Sequence, residues 1–129
     1  MSINFDNVNV YERLLRVCKL FAVHPLSSIE SEEFFRLLVA QYVKQGDLDD
    51  FEEWVSEQLL VYFKYVKHKP RWLQDPEWPF SNGLPMIFVG QFDIDPLELP
   101  NSTSLFHDAT SIYVFIGNKS LPVAIMQQY

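Results

Sequence analysis

The sequence predicts an α+β fold, with three N-terminal helices packed on a small, mainly antiparallel C-terminal sheet of three to four strands. Through residues 1–69, apolar side chains recur at intervals of three and four, which is typical of amphipathic helices. From Pro70 onward, prolines, aromatics and short β-branched runs replace that spacing, as expected for strands. The chain has 129 residues, 48% of them apolar, which suits one domain. We therefore expect a single domain with a helical part, 1–69, and a sheet part, 70–129.

The first two helices are predicted from their caps and apolar spacing. Helix one should run from about Val10 to Phe21 with Asn9 as its cap. Its buried stripe is expected to contain Tyr11, Leu14, Leu15, Cys18 and Phe21. Ser27 or Ser28 opens helix two, and Gly46 is a natural left-handed stop. Helix two is expected to bury Phe35, Leu38, Val39 and Tyr42.

Helix three should begin near Asp49 or Asp50, because Asp50 and Glu53 have the spacing of a capping box. It should end before Pro70, which a helix interior does not tolerate. At 100° per residue, the face of Phe51 also carries Val55, Leu59, Tyr62 and Val66, which we expect to be buried. The opposite face carries Asp49, Glu53, Glu57, Leu60 and Lys64, which we expect to be exposed.

Three strands are predicted in the second part of the chain. The clearest runs from Met86 to Ile94, and strict alternation places Phe88 and Phe92 on one face. Gln91 and Asp93 should then lie on the opposite face. Strands over 111–116 and 122–127 follow, and residues 117–120 suit a hairpin turn between them.

Composition argues against several classes of function and location. Ten basic residues against seventeen acidic ones give a net charge of −7, which disfavours nucleic acid as a ligand, since binding phosphates requires Lys and Arg. One cysteine, Cys18, indicates a reducing compartment. The N-terminus lacks the pattern of a signal peptide, and no apolar run approaches the ~20 residues of a membrane span. We expect a cytoplasmic protein without membrane association, and the oligomeric state stays open.

Candidate catalytic and metal sites are few. His107 and Asp108 form the only adjacent pair suggestive of acid–base chemistry, although a loop histidine beside a turn-capping aspartate explains them as well. Cys18 lies within the predicted apolar stripe and should be inert. The three histidines lack the short spacing of metal ligands. We expect no cofactor, no metal and no enzymatic activity.

Four residues could line a small-molecule pocket beside the sheet. Gln91 and Asp93 are polar positions in an apolar strand, and Trp72 and Trp78 could form an aromatic platform. The alternative is structural: a polar face at the sheet edge, and a rigid proline-rich connector that holds the indoles against the core. We favour the structural interpretation.

The acidic residues are concentrated in residues 30–57, which include the predicted N-terminal half of helix three. Residues 30–57 contain nine acids and two bases, and the helix dipole accounts for Asp49 and Asp50 at the N-terminus. It accounts less well for Glu53 and Glu57, because like charges four residues apart cost ~0.2–0.5 kcal/mol per pair. An exposed Leu60 would give this surface an apolar centre. A solvated helix face remains the alternative to a binding surface.

One segment resembles a known protein family. The residues that match the family's pattern are Trp78, Pro79, Gly83, Pro85, Phe88, Gln91, Asp93 and Ile94. Residues 70–117 resemble the core signature of the bacterial YwqG-like family of uncharacterised proteins. The resemblance implies a β-rich core and a bacterial source, and it implies no catalytic residue. In size and acidity the chain is also similar to the immunity proteins of bacterial toxin systems.

The leading hypothesis from the sequence is therefore a protein-binding module. Its most concrete form is an immunity-type protein that neutralises a bacterial toxin. The acidic face of helix three would block a basic domain of that toxin. Its predicted partner-binding residues are Asp49, Glu53, Glu57 and Leu60. The alternatives are a small-molecule-binding domain and, third, an enzyme using His107 and Asp108.

Overall fold

The fold is known from a computed structural model that describes residues 8–42, 49–94, 110–117 and 121–128. In these ranges three helices precede five short strands, which confirms the predicted α+β class. The helices are α1 Val8–Leu20, α2 Ile29–Ala40 and α3 Phe51–Tyr62. The strands are β1 Phe80–Ser81, β2 Leu84–Pro85, β3 Ile87–Ile94, β4 Thr110–Ile116 and β5 Val123–Gln128. None of these helices has the length and apolarity needed to cross a bilayer.

Helix α1 begins two residues before its predicted start, so Asn9 lies inside the helix instead of capping it. Its buried stripe contains Val10, Leu14, Val17, Cys18 and Phe21. The predicted members Tyr11 and Leu15 are only half-buried, because they lie at the edges of this stripe. Burial raises the pKa of the Cys18 thiol, which keeps the side chain neutral and unreactive.

Helix α2 agrees with its prediction at the N-terminus and on the buried face. Ser28 is the N-cap, and its hydroxyl accepts a hydrogen bond from the Ser31 amide at 3.0 Å. All four residues expected in the core are buried: Phe35, Leu38, Val39 and Tyr42. The helix ends at Ala40, and the predicted stop at Gly46 lies outside the described residues.

Helix α3 ends earlier than predicted. Phe63 leaves the helical conformation (φ −98°, ψ 83°) and buries its ring. The chain beyond it pairs with β3: the Phe88 amide donates to the Lys64 carbonyl, and the Val66 amide donates to the Phe88 carbonyl, each at 3.0 Å. The prediction that Val66 continues the buried face is therefore wrong, since Val66 is exposed. Asp50 is the N-cap but makes no side-chain capping hydrogen bond.

The strands form two antiparallel units. Strands β3, β4 and β5 make a sheet in that order, and β1 pairs with β2. The turn between β1 and β2 is Asn82-Gly83, with φ of 53° and 78°. Positive φ at both positions favours Asn-Gly in a two-residue hairpin. The sequence analysis missed this hairpin, although Asn-Gly is its usual signal.

A β-bulge in β3 overturns one prediction about the sheet. Phe88 pairs with Phe115, but Gly90 pairs with Val114 and Gln91 with Tyr113, so the register shifts at Val89. An extra residue on one strand reverses the alternation of side chains beyond it. Gln91 and Asp93 consequently lie on the same face as Phe88, and Phe92 lies on the other face. The predicted assignment of these faces is wrong.

One buried cluster contains side chains from all three helices and from β3 and β4. Residues 70–79 join the helical part to the strands, and we call this segment the connector. Its Trp78 is buried within the cluster. Its ring centroid lies 5.2 Å from that of Phe63 and 5.4 Å from that of Phe115. The indole Nε1 donates to the Met86 carbonyl at 2.8 Å. Trp78 thus joins the end of α3 to the sheet.

Candidate functional site

The exposed side of α3 carries the residues that the sequence analysis singled out. We define the acidic face as Asp49, Glu53, Glu57 and Leu60. All four residues are exposed, and Leu60 keeps 64% of its surface accessible to solvent. Glu53 and Glu57 form no ion pair with any other described residue. They are one helical turn apart, so two like charges lie side by side.

Glu52, next to this face, has a different environment. Its carboxylate binds Arg16 of α1 at 2.9 Å and lies 3.8 Å from Arg13. The pairing links α1 to α3, and it gives Glu52 a structural role. The three acids of α3 therefore differ in their surroundings. Glu52 connects α3 to α1, whereas Glu53 and Glu57 face solvent.

An apolar groove borders the acidic face. Val61 lies one turn beyond Glu57 on the same side of α3, and it lines an open groove of about 750 Å³. Leu84 of the hairpin and the paired residues Ile87 and Ile116 form the apolar part of the remaining wall. Polar groups in the lining come from Lys64, Ser81 and Asn82. The sequence analysis missed this groove. Two features of the sequence indicate this groove. One is the pair of adjacent apolar residues at positions 60 and 61, and the other is the Asn-Gly turn, which places Leu84 across the groove from Val61.

Gln91 and Asp93, proposed as pocket residues, hold the connector in place. The Gln91 amide accepts from the Arg71 backbone N–H at 2.8 Å and donates to the Arg71 carbonyl at 3.1 Å. Asp93 accepts from Ser111 and from Gln91. These hydrogen bonds, from Ser111 first and then Gln91, lower the pKa of Asp93. These contacts favour the structural interpretation of Gln91 and Asp93 over a pocket.

Trp72 and Trp78 are also held by contacts within the fold. The Trp72 indole donates to the Ala22 carbonyl at 2.7 Å, and its ring lies over Tyr113 with centroids 4.4 Å apart. Trp78 is buried in the core. Neither indole offers an open aromatic surface, so these contacts favour the connector interpretation over a binding platform.

Gln127 of β5 is a connector contact that the sequence analysis did not identify. Its buried amide accepts from the Gln74 backbone N–H at 2.9 Å and donates to the Asp75 carbonyl at 2.8 Å. It also donates to the Glu77 carboxylate at 2.8 Å. Pairs about fifty residues apart leave no signal in local spacing.

We expect Gln127→Ala to lower the free energy of unfolding by about 1–3 kcal/mol, because it removes three part-buried hydrogen bonds between the sheet and the connector. Urea denaturation measures this loss. Gln128→Ala is the matched control, since Gln128 is exposed and its replacement should cost less than about 0.5 kcal/mol. Equal losses in the two variants would contradict the role given to Gln127.

Asp93 should make stability depend on pH in the acid range. Its pKa is lower in the folded chain than the ordinary value of 3.8, so its contribution is complete above that value and is lost as pH falls through the folded pKa. Its side chain is 60% exposed, which limits the contribution to less than about 1 kcal/mol. Asp93→Asn should therefore be less stable than wild type near neutral pH and equal to it in strong acid. A difference that grows on acidification would contradict this assignment.

The third hypothesis, an enzyme using His107 and Asp108, concerns residues outside the described ranges. Within those ranges, no group of three or more His, Cys, Asp or Glu side chains could hold a metal ion. Comparison of the chain with protein-family models, with curated proteins and with solved structures gave no match. The functional proposal therefore rests on the residues of this chain.

Proposed function

We propose that this chain is a protein-binding module whose acidic face on α3 binds a basic surface of its partner. One observation carries the proposal. Glu53 and Glu57 are exposed beside an apolar groove and have no ion pair within the described ranges, whereas Glu52 is bound by two arginines of α1. Their mutual repulsion lowers the stability of the helix slightly, so folding alone gives no reason for this arrangement.

The groove beside the acidic face supports a protein partner in particular. Specific interfaces combine an apolar centre, which supplies most of the affinity, with a charged rim that speeds association and selects the partner. Leu60 and Val61 are exposed apolar side chains next to the two glutamates. A basic partner that also presents an apolar side chain would fit both parts of this surface.

Most concretely, we propose an immunity-type protein that neutralises a bacterial toxin with a basic domain. A toxin surface that binds nucleic-acid phosphates is rich in Lys and Arg, and an acidic face can cover it. We also propose that residues 70–117 are related to the YwqG-like family. A cytoplasmic location is supported by Cys18, which is a free and buried thiol.

Coexpression with the basic product of an adjacent gene tests this proposal. We expect a stoichiometric complex in gel filtration that weakens as salt is added, because exposed charges are screened. We also expect the chain to suppress the toxicity of that product in cells. Failure to associate with such a product at low ionic strength would overturn the immunity proposal.

A further inference from the structure

The sheet β3-β4-β5 has a second face, which we call the outer face, turned away from Phe88, Tyr113 and Phe115. An antiparallel sheet with one face on the core normally presents polar side chains on the other. In the described strands, no outward position is charged, and Phe92 keeps 61% of its surface exposed. Met126 and Ile116 are exposed as well. A face of this composition indicates a surface that something covers.

The strand register arranges the outer face in rows of different size. A ridge of large side chains crosses the sheet, formed by Phe92, Ile112 and Met126. The next row, two residues along each strand, is a trough of smaller residues formed by Gly90, Val114 and Ala124. With a rise of ~3.3 Å per residue, the rows lie about 7 Å apart.

Gly90 leaves open space in the trough. A Cβ atom built at this position meets no other atom within 4 Å, and the backbone is not in the left-handed region. A glycine inside a strand weakens it, and it often marks a place where another chain approaches closely. Gly90 directly follows the bulge at Val89, where glycine is common, and its missing side chain leaves space on the outer face that a group from another molecule can fill.

We propose that two copies of this chain pack outer face to outer face, about a two-fold axis that runs parallel to the rows between ridge and trough. This rotation places the ridge of each copy over the trough of the other. Phe92 then meets Gly90 of the partner subunit, Ile112 meets Val114 of the partner subunit, and Met126 meets Ala124 of the partner subunit. Each strand thus matches a large side chain with a smaller one, as a self-complementary interface requires.

The area of the outer face suits a second copy as the occupant. Each chain carries a net charge of −7, but the described outer face has no charged side chain, so the repulsion between two copies acts only at long range and is screened by salt. Three strands spaced ~4.8 Å apart and about seven residues long cover roughly 300 Å² in projection. Two copies would bury a total on the order of 1,000 Å², near the lower limit for a specific interface. The dimer is therefore expected to be reversible and concentration-dependent.

Sedimentation equilibrium of the purified chain over about two decades of concentration tests this proposal. The wild type should dimerise reversibly. Gly90→Phe should raise the dissociation constant at least about 100-fold, because the new ring meets Phe92 of the partner subunit. Its thermal midpoint should equal that of the wild type at a concentration low enough for both chains to be monomeric. Phe92→Lys should also give a monomer. Leu37→Lys is the matched control: Leu37 is 63% exposed, close to the 61% of Phe92, and this variant should dimerise as the wild type does.

The double variant G90F/F92G distinguishes the proposed geometry from a general effect of surface change. It exchanges ridge and trough on β3, and the two-fold axis again sets the large residue against the glycine, so dimerisation should return. A wild type that stays monomeric at the highest concentration overturns the proposal, as does a G90F variant that dimerises normally. Charge reversal at Glu53 and Glu57 should leave the dimer intact, which separates this surface from the acidic face.

Discussion

Replacing Trp78 by alanine should lower the free energy of unfolding by about 3–5 kcal/mol, the usual cost of removing a large buried aromatic side chain. The indole contacts Phe63 and Phe115, so its loss opens a cavity where α3, the connector and the sheet meet. It also removes the hydrogen bond to the Met86 carbonyl. A domain of this size has a total stability of about 5–15 kcal/mol, so much of the population could unfold at moderate temperature.

Chemical denaturation of Trp78→Ala beside Trp78→Phe separates the two contributions. Phenylalanine retains most of the ring contacts and loses the hydrogen bond, so we expect it to cost about 1–2 kcal/mol. A loss below about 1 kcal/mol for the alanine variant would show that Trp78 does not join the helices to the sheet as described.

Reversing both charges of the acidic face, Glu53→Lys with Glu57→Lys, should weaken binding to the basic partner by at least about 100-fold. Like charges placed opposite one another at an interface cost several kcal/mol and slow association. Stopped-flow mixing at low salt should show the slower association directly. The fold should be retained, because neither side chain has an ion pair in the described part of the chain.

The matched control changes the same total charge elsewhere. Glu12 on α1 and Glu33 on α2 are also exposed, so Glu12→Lys with Glu33→Lys shifts the net charge equally without touching the acidic face. This control should alter affinity only a few-fold, through long-range electrostatics. If both double variants lose affinity equally, net charge governs binding and α3 is not the interface.

Local patterns in the sequence predicted the helices and which of their faces are buried or exposed. The Ser28 cap and the spacing of Phe35, Leu38 and Val39 fixed α2, because both depend on residues within a few positions of one another. The exposed positions of Glu53 and Glu57 followed from the same spacing. These features are local, so one sequence was enough to predict them.

The errors arose where distant segments meet. Helix α3 ends at Tyr62 because Phe63 turns into the core and the next residues pair with Phe88 of β3. The bulge at Val89 moved Gln91 and Asp93 to the face of Phe88, where Gln91 binds the backbone of Arg71. The spacing of apolar residues predicts neither the early end of α3 nor the bulge. An alternating pattern does not show where a strand contains one extra residue.

Carboxylate footprinting of the complex measures the binding face most directly. Carbodiimide-driven labelling of the free chain should modify Glu12, Glu33, Glu53 and Glu57, which are all exposed. In the complex with the basic partner, we predict that labelling of Glu53 and Glu57 is strongly suppressed, while Glu12 and Glu33 react as in the free chain. Unchanged labelling of Glu53 and Glu57 in a saturated complex would contradict a binding function for the acidic face.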